Sequence, residues 1–317
     1  MPAIQKVVKF LEDNKALKKG GSPWPTYSDE HGEQQRYQID WSKLFPPERR
    51  NRYQDREPWP TDDDYELRKL ASDIDEASYR GYPSDEELRT MASAQSWDTC
   101  AWYQPIHYSG FDWGIFIREG CIINQVRHIS RFLSRPVPGG LLPRLIRASV
   151  YAYFLHEQYH HKVECLGLRL HVVDRKSRYL PYDAMVYTPS KNSDLLLEEA
   201  LANADAFQRL WNEPYRSLIG DPVVRATQEY LAATFPYNPE GYRMARYYLT
   251  KDAFEAGENL LHGQMHEATL TPSQPTDEWE IATWLMRSMF RVTDNIWTIV
   301  PAGRRSILPT IKDALRP

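Results

Sequence analysis

Apolar positions recur with helical spacing through most of this chain and alternate with strand spacing in only a short central region. Residues 4–18 read as a short amphipathic helix ended by Gly20-Gly21. Between 21 and 60, Ser22-Pro23-Trp24-Pro25, Phe45-Pro46-Pro47 and Glu57-Pro58-Trp59-Pro60 exclude regular helix, because proline lacks an amide hydrogen and clashes with the preceding turn. The stretch is also richer in tryptophan and tyrosine than a disordered linker. It is expected to wrap against the body with its tryptophans as anchors, or to bind a partner protein. Thr61-Asp62-Asp63-Asp64 opens a helix to about residue 76, and Ser84-Asp85-Glu86-Glu87 is a capping box for another to about 95.

The β signal follows. Ala101–Tyr108 and Asp112–Arg118 are aromatic and β-branched runs flanking Ser109-Gly110, and predict two strands of a small sheet. His107 is expected to be structural, at a strand end. Residues 120–134 read as helix, and Arg135-Pro136-Val137-Pro138-Gly139-Gly140 as a turn. A long apolar helix then starts near Pro143. Arg169–Val173 reads as a short strand or as the end of that helix. Downstream the pattern predicts helices at about 194–215, 221–235, 240–268 with a break, and 276–291. A last strand at 295–300 and a terminal helix at 307–315 complete the chain. No internal repeat is found. The expectation is an α+β fold, mainly helical with a small β-sheet. It divides into an N-terminal helical and Pro/Trp-rich wrapping region, 1–98, and a body, 99–317, whose C-terminal part is helical.

The long helix carries His156-Glu157-Gln158-Tyr159-His160, an HExxH motif. Positions four apart on a helix share a face. His156 and His160 can therefore point ring nitrogens at one metal ion, and Glu157 can reach a water on that ion, as a zinc hydrolase requires. His161 projects about 100° away from His160 and reads as a solvated or core-edge histidine. Glu164 shares the face of His160. However, three ligands spanning eight positions of one rigid helix would lie along about 12 Å and cannot converge on one ion. Glu164 therefore reads as a supporting or surface residue. The metzincin continuation HExxHxxGxxH is rejected, because Val163 and Leu166 stand at the glycine and histidine positions.

Leu197–Phe207 is rich in helix formers and opens near Ser193 or Asp194, so a second helix follows the motif. With Leu197-Glu198-Glu199-Ala200-Leu201-Ala202-Asn203, the chain resembles the gluzincin peptidases, the thermolysin-like class. It also resembles the bacterial regulator-cleaving peptidases of the ImmA/IrrE type. The resemblance spans about residues 143–207. It implies a zincin-like metallopeptidase core, a Zn2+ cofactor held by His156, His160 and Glu199, and Glu157 as general base. It further implies a small sheet over the active-site helix whose edge strand aligns an extended peptide. Two positions depart from the family pattern. Glu198 replaces an asparagine, and Asn203 replaces an aspartate that orients a ligand histidine, a role an asparagine carbonyl still allows. The oxyanion-steadying residue the family usually adds has candidates in Tyr182, Tyr187, His262 and His266, with Tyr182 and His262 put forward.

Other chemistries fit less of the chain. Glu157-Gln158-Tyr159-His160 is half of a di-iron carboxylate signature, yet no second ExxH exists. No phosphate-binding glycine loop and no G-x-S-x-G elbow occurs. A zinc hydrolase of non-peptide amides, or an interaction protein with a structural metal, remain as alternatives. The chain has 317 residues with 42% hydrophobic and 13% aromatic content, ample for a folded core. Net charge −4 and a pI near 6.2 argue against a general nucleic-acid binder. The basic run Glu48–Arg56 is interrupted by acids and reads as a solvated loop. Cys100, Cys121 and Cys165 make no CxxC, and reduced thiols in a cytoplasmic protein are expected. The N-terminus lacks a signal-peptide core and no apolar run is long enough for a membrane span. The expected partners are a protein or peptide substrate and a regulatory protein, with no nucleic acid and no membrane.

Overall fold

The computed structural model describes residues 17–19, 26–28, 34–39, 70, 74, 81–94, 97–109, 113–134, 140–174, 176–268, 297–300 and 307–315. Three short strands come first: β1 (Leu17–Lys19), β2 (Thr26–Ser28) and β3 (Gln34–Ile39), in the order β1-β3-β2 with both pairings antiparallel. The end of the helix expected at 4–18 is thus strand at 17–19, and its remainder lies outside the described residues. Of the helix expected at 61–76, Leu70 and Ile74 are helical and buried.

Helix α1 (Asp85–Ala94) starts at the expected capping box. Ser84 Oγ accepts from Glu87 N at 3.3 Å and Glu87 Oε2 accepts from Ser84 N at 2.8 Å, so two orphan amides are satisfied reciprocally. Helix α2 (Trp97–Cys100) leads into β4 (Ala101–Gln104). Pro105 then cannot donate to a ladder, and Ile106–Ser109 form a helical turn, α3, where the alternating pattern predicted more strand. Strand β5 (Gly114–Arg118) pairs antiparallel with β4, from Ala101↔Ile117 to Gln104↔Gly114. After helix α4 (Glu119–Ser130), the chain enters α5 (Leu141–Asp174), a single helix of 34 residues. The segment 169–173 is its end, not a strand.

A connection of α6 (Tyr179–Tyr182), a π turn (Asp183–Tyr187) and α7 (Thr188–Ser190) leads to α8 (Leu197–Arg209). Then come α9 (Tyr215–Ile219), α10 (Asp221–Thr234), 3-10 turns at Phe235–Tyr237 and Tyr242–Tyr247, and α11 (Lys251–Glu267). The helix expected at 276–291 lies outside the described residues. Strand β6 (Trp297–Val300) returns to pair in parallel with β5, so the second sheet has the order β4-β5-β6 with β4 at an edge. Helix α12 (Leu308–Leu315) packs on α5. The fold is α+β and mostly helical, with a small three-stranded sheet against α5.

The first half of α5 is mostly apolar, and from Leu145 to Leu155 it is mostly buried. Leu145, Ile146, Ala148, Val150, Ala152, Tyr153 and Leu155 are all at most 1% exposed. They form the centre of one core with β4, β5, α4 and α10, joined by Leu70, Ile74, Leu88 and Met91 from the N-terminal region. A second core gathers Tyr159 and Val163 of α5 with Tyr179, Tyr182, Leu197, Leu201, Phe254, Leu261 and Met265. The HExxH motif begins where the first core ends. Gly167 lets the connection approach α5 closely: a Cβ there would stand 2.7 Å from Tyr179 Cβ and 3.1 Å from its backbone nitrogen. Gly167→Ala is therefore expected to destabilise by about 1–3 kcal/mol through overpacking, outweighing its helix-propensity gain of about 1 kcal/mol. Urea unfolding that finds the variant as stable as wild type would refute this.

One expectation is corrected by the fold. Cys100 and Cys121 form a disulfide, with Cα atoms 5.4 Å apart, that ties the end of α2 to α4, and only Cys165 is a free thiol. No sequence spacing announced that pair, because its proximity arises only when β4 and β5 fold back on each other. Among the described residues no helix is long and apolar enough to cross a membrane.

Candidate metal centre

Three donor atoms from α5 and α8 converge. His156 Nε2 and His160 Nε2 are 3.4 Å apart, and Glu199 Oε2 lies 3.2 Å from the first and 3.3 Å from the second. For a tetrahedral zinc with bonds of about 2.0–2.1 Å, neighbouring ligand atoms stand about 3.3–3.4 Å apart. The triangle therefore has the edge lengths of one face of a zinc tetrahedron. Glu199 Oε2 is buried and has no hydrogen-bond partner despite the two ring nitrogens beside it. A buried carboxylate oxygen left so is costly, and a cation bound between the three atoms would satisfy it. Glu157 Oε1, 4.0 Å from His156 Nε2, could also bracket a cation with the two histidines. Glu199 is the better third ligand, because its oxygen is nearer and equidistant from both rings. That leaves Glu157 beside the triangle and outside it.

The next layer of contacts comes from residues that flank the expected ligands. Glu198 Oε1 meets His160 Nδ1 at 2.7 Å, which turns that ring's Nε2 toward the centre. Tyr182 OH donates to the other oxygen of Glu198 at 2.8 Å. Tyr187 OH donates to Glu199 Oε1 at 2.5 Å. All five charged or imidazole groups are nearly inaccessible, from 1% exposed at His156 and Glu199 to 8% at His160. The packing of α5 against α8 explains this, since the groups lie between the two helices.

Burial opposes a charge on His160, but the carboxylates of Glu199 and Glu198 prevail and hold its pKa well above the usual range. Burial likewise opposes a charge on Glu199, yet the two imidazoles hold its pKa well below the carboxylate range. Burial raises Glu198. His160 is thus held toward its protonated form in the metal-free protein. Its contribution to stability is complete below about pH 6.5, the unfolded value, and is lost as pH rises through the folded value. Glu199 contributes above about pH 4.5 and loses that contribution as pH falls through its depressed folded value. Imidazole ligands bind a metal in their neutral form, so zinc uptake is expected to release protons and to tighten as pH rises. Calorimetric titration in buffers of different ionisation enthalpy measures the protons released, and zero release would exclude this.

The centre opens into a cleft of about 290 Å³, lined by Glu157, His160 and both glutamates on its floor and by Trp102, Tyr103, Tyr108, Asp183 and Lys191 on its walls. Trp102 and Tyr103 belong to β4, so the edge strand borders the centre.

Comparison with protein families, with curated proteins and with solved structures returns no match.

Several expected residues are placed differently from the sequence reading. His262 and His266 are exposed on α11, away from the cleft lining. Tyr182 lines the cleft, but its hydroxyl is committed to Glu198. Asn203 donates to Tyr242 O at 3.4 Å and its Oδ1 has no hydrogen-bond partner, so it orients neither histidine. Glu198 performs that role for His160. Its place beside Glu199 could have suggested it, since the flanking position already departed from the family pattern.

Glu164 is not a surface residue. It is fully buried and binds Tyr103 OH, His107 Nδ1 and, at 2.9 Å, His107 N. Tyr103 OH also meets His161 Nδ1 at 2.8 Å, and Trp113 stacks on His161 with ring centroids 5.1 Å apart. This cluster fastens β4 and α3 to α5. Cys165 Sγ lies 3.5 Å from His161 Nε2, but burial pushes the thiol up to about 12 and the imidazole down to about 4. Neither shift favours a thiolate–imidazolium pair, and the contact is structural.

Proposed function

We propose that this protein is a zinc-dependent peptidase with a zincin-like core, in which His156, His160 and Glu199 hold the metal and Glu157 is the general base. The observation that carries this reading is the triangle of 3.2, 3.3 and 3.4 Å edges around an unsatisfied carboxylate oxygen, with Glu157 at its side. Zinc bound there would lower the pKa of its water toward neutrality and polarise a carbonyl. Glu157 stands where it could take a proton from such a water and return it to a leaving amine. Glu198 keeps the His160 ring turned to the metal, and the aromatic walls limit the entry of further water.

The substrate is a protein or peptide in extended form. Its backbone would add along β4, which among the described residues pairs only with β5, while Trp102 and Tyr103 border the scissile bond. The arrangement of a motif helix, a glutamate helix and a small sheet supports this reading.

The test is a cleavage screen. Zinc-loaded protein is incubated with a denatured whole-cell protein extract, and new N-termini are read by mass spectrometry. Cleavage that disappears with a chelator and returns with zinc is the expected result. Zinc-loaded protein that produces no chelator-sensitive N-termini counts against the peptidase reading.

A further inference from the structure

The connection between the two ligand helices contains a π turn, and its geometry has a consequence for the centre. Thr188 N–H donates to Asp183 O, five residues back, which closes the turn. Tyr182 and Tyr187 are five apart. On an α-helix, at about 100° per residue, they would point about 140° apart. A π turn, with about 4.4 residues per turn, brings them to within about 50°. Both hydroxyls consequently meet the same short stretch of α8: Tyr182 donates to Glu198 Oε2 at 2.8 Å and Tyr187 to Glu199 Oε1 at 2.5 Å.

This matters because two adjacent buried glutamates stand beside one histidine pair. Glu198 is engaged at both oxygens, by His160 and by Tyr182. Glu199 accepts the Tyr187 hydroxyl at Oε1, and its Oε2 is the oxygen presented to the two histidines. Without the hydroxyls, either carboxylate could rotate and the two could compete for His160. The connection is itself held in place: Arg178, just before α6, donates from Nη1 to His266 O at 2.5 Å, and Tyr108 OH donates to Asp183 within the π turn. Gly167 lets Tyr179 lie directly on α5.

We infer that the π turn Asp183–Tyr187 is a positioning device that assigns the paired glutamates their separate tasks, Glu199 to the metal and Glu198 to His160, through Tyr187 and Tyr182. The inference rests on the zinc reading of the centre. Tyr182 and Tyr187 act through other residues and are positioning residues.

The experiment measures zinc affinity by competition with a chromophoric chelator, and visible spectra of the cobalt(II)-substituted protein. It compares wild type, Tyr182→Phe, Tyr187→Phe, the double variant and Glu198→Gln, with Tyr179→Phe as a control from the same segment. Each of the two hydroxyl deletions is expected to weaken zinc binding about 10- to 100-fold. Tyr187→Phe should also alter the cobalt spectrum, since it frees a ligand carboxylate. Tyr182→Phe should add little to Glu198→Gln, because both act on one path, whereas Tyr182→Phe and Tyr187→Phe should be additive. Tyr179→Phe should leave affinity within about twofold. Wild-type affinity and spectrum in both hydroxyl variants would overturn the inference while leaving the zinc site standing. Equal weakening by Tyr179→Phe would reduce the effect to packing and overturn it too. Wild type that binds no zinc would instead remove the metal reading on which it stands. Should Tyr187→Phe not fold, the Tyr182→Phe and Glu198→Gln pair tests the same path.

Discussion

Glu157→Gln is expected to retain zinc at the wild-type stoichiometry while lowering kcat/KM on any cleaved peptide about 10²- to 10⁴-fold, the usual contribution of a positioned base. That corresponds to about 3–5 kcal/mol of transition-state stabilisation. The split between binding and turnover follows from the geometry. Glu157 is 4.0 Å from His156 Nε2 and lies outside the triangle formed with Glu199, so its loss removes no ligand. It is only 3% exposed and faces the cleft, where glutamine preserves shape and hydrogen bonding but cannot take a proton. Metal content by plasma mass spectrometry and kcat/KM on one peptide from the cleavage screen decide the matter. A variant that loses its zinc would make Glu157 a ligand, and one that cleaves normally would deny it the role of base.

The second large effect concerns the ligands. His160→Ala and Glu199→Ala should each abolish stoichiometric zinc, but they should not cost the fold equally. His160 is the imidazole between Glu198 and Glu199, at 2.7 and 3.3 Å. Its removal leaves two buried carboxylates, 4% and 1% exposed, without the cation that faces both. Breaking a buried pair in this way costs about 3–5 kcal/mol. Glu199→Ala leaves the His160–Glu198 pair intact and should cost less. The expected order of Tm in chelator is wild type, then Glu199→Ala, then His160→Ala. In wild type, saturating zinc should raise Tm, because a ligand that binds only the folded state stabilises it. Identical Tm for the two metal-free variants would show that the buried carboxylates are not held by His160.

Much of the site was legible before the fold was known, because helical periodicity is a local property. His156 and His160 share one face of one helix and Glu157 flanks it, and that fixes their mutual geometry at any position in the fold. The capping box at Ser84 and Glu87 and the apolar run from Leu145 to Leu155 are local in the same sense, and both form as the pattern predicted. Glu199 was reachable only by resemblance, since nothing in the spacing between α5 and α8 brings an oxygen to within 3.3 Å of a ring nitrogen.

The remainder was decided by tertiary structure. Adjacent positions on α8 differ by about 100° in direction, yet sequence cannot say which glutamate meets a metal and which meets the back of a histidine. In the packing of α8 on α5, Glu199 Oε2 faces both Nε2 atoms and Glu198 Oε1 meets His160 Nδ1. The π turn that aims Tyr182 and Tyr187 at those two acids depends on one extra residue in a helical turn, which composition does not mark. The sequence left Glu164 as a supporting or a surface residue, because its partners, Tyr103 and His107, lie some sixty residues away and arrive only when the sheet folds onto the helix. The Cys100–Cys121 bond arises from the same closure. The sequence by itself therefore determined which helix carries the candidate ligands and which of its faces presents them. The tertiary structure determined which long-range partners orient that face, because their contacts depend on distances that no local periodicity encodes.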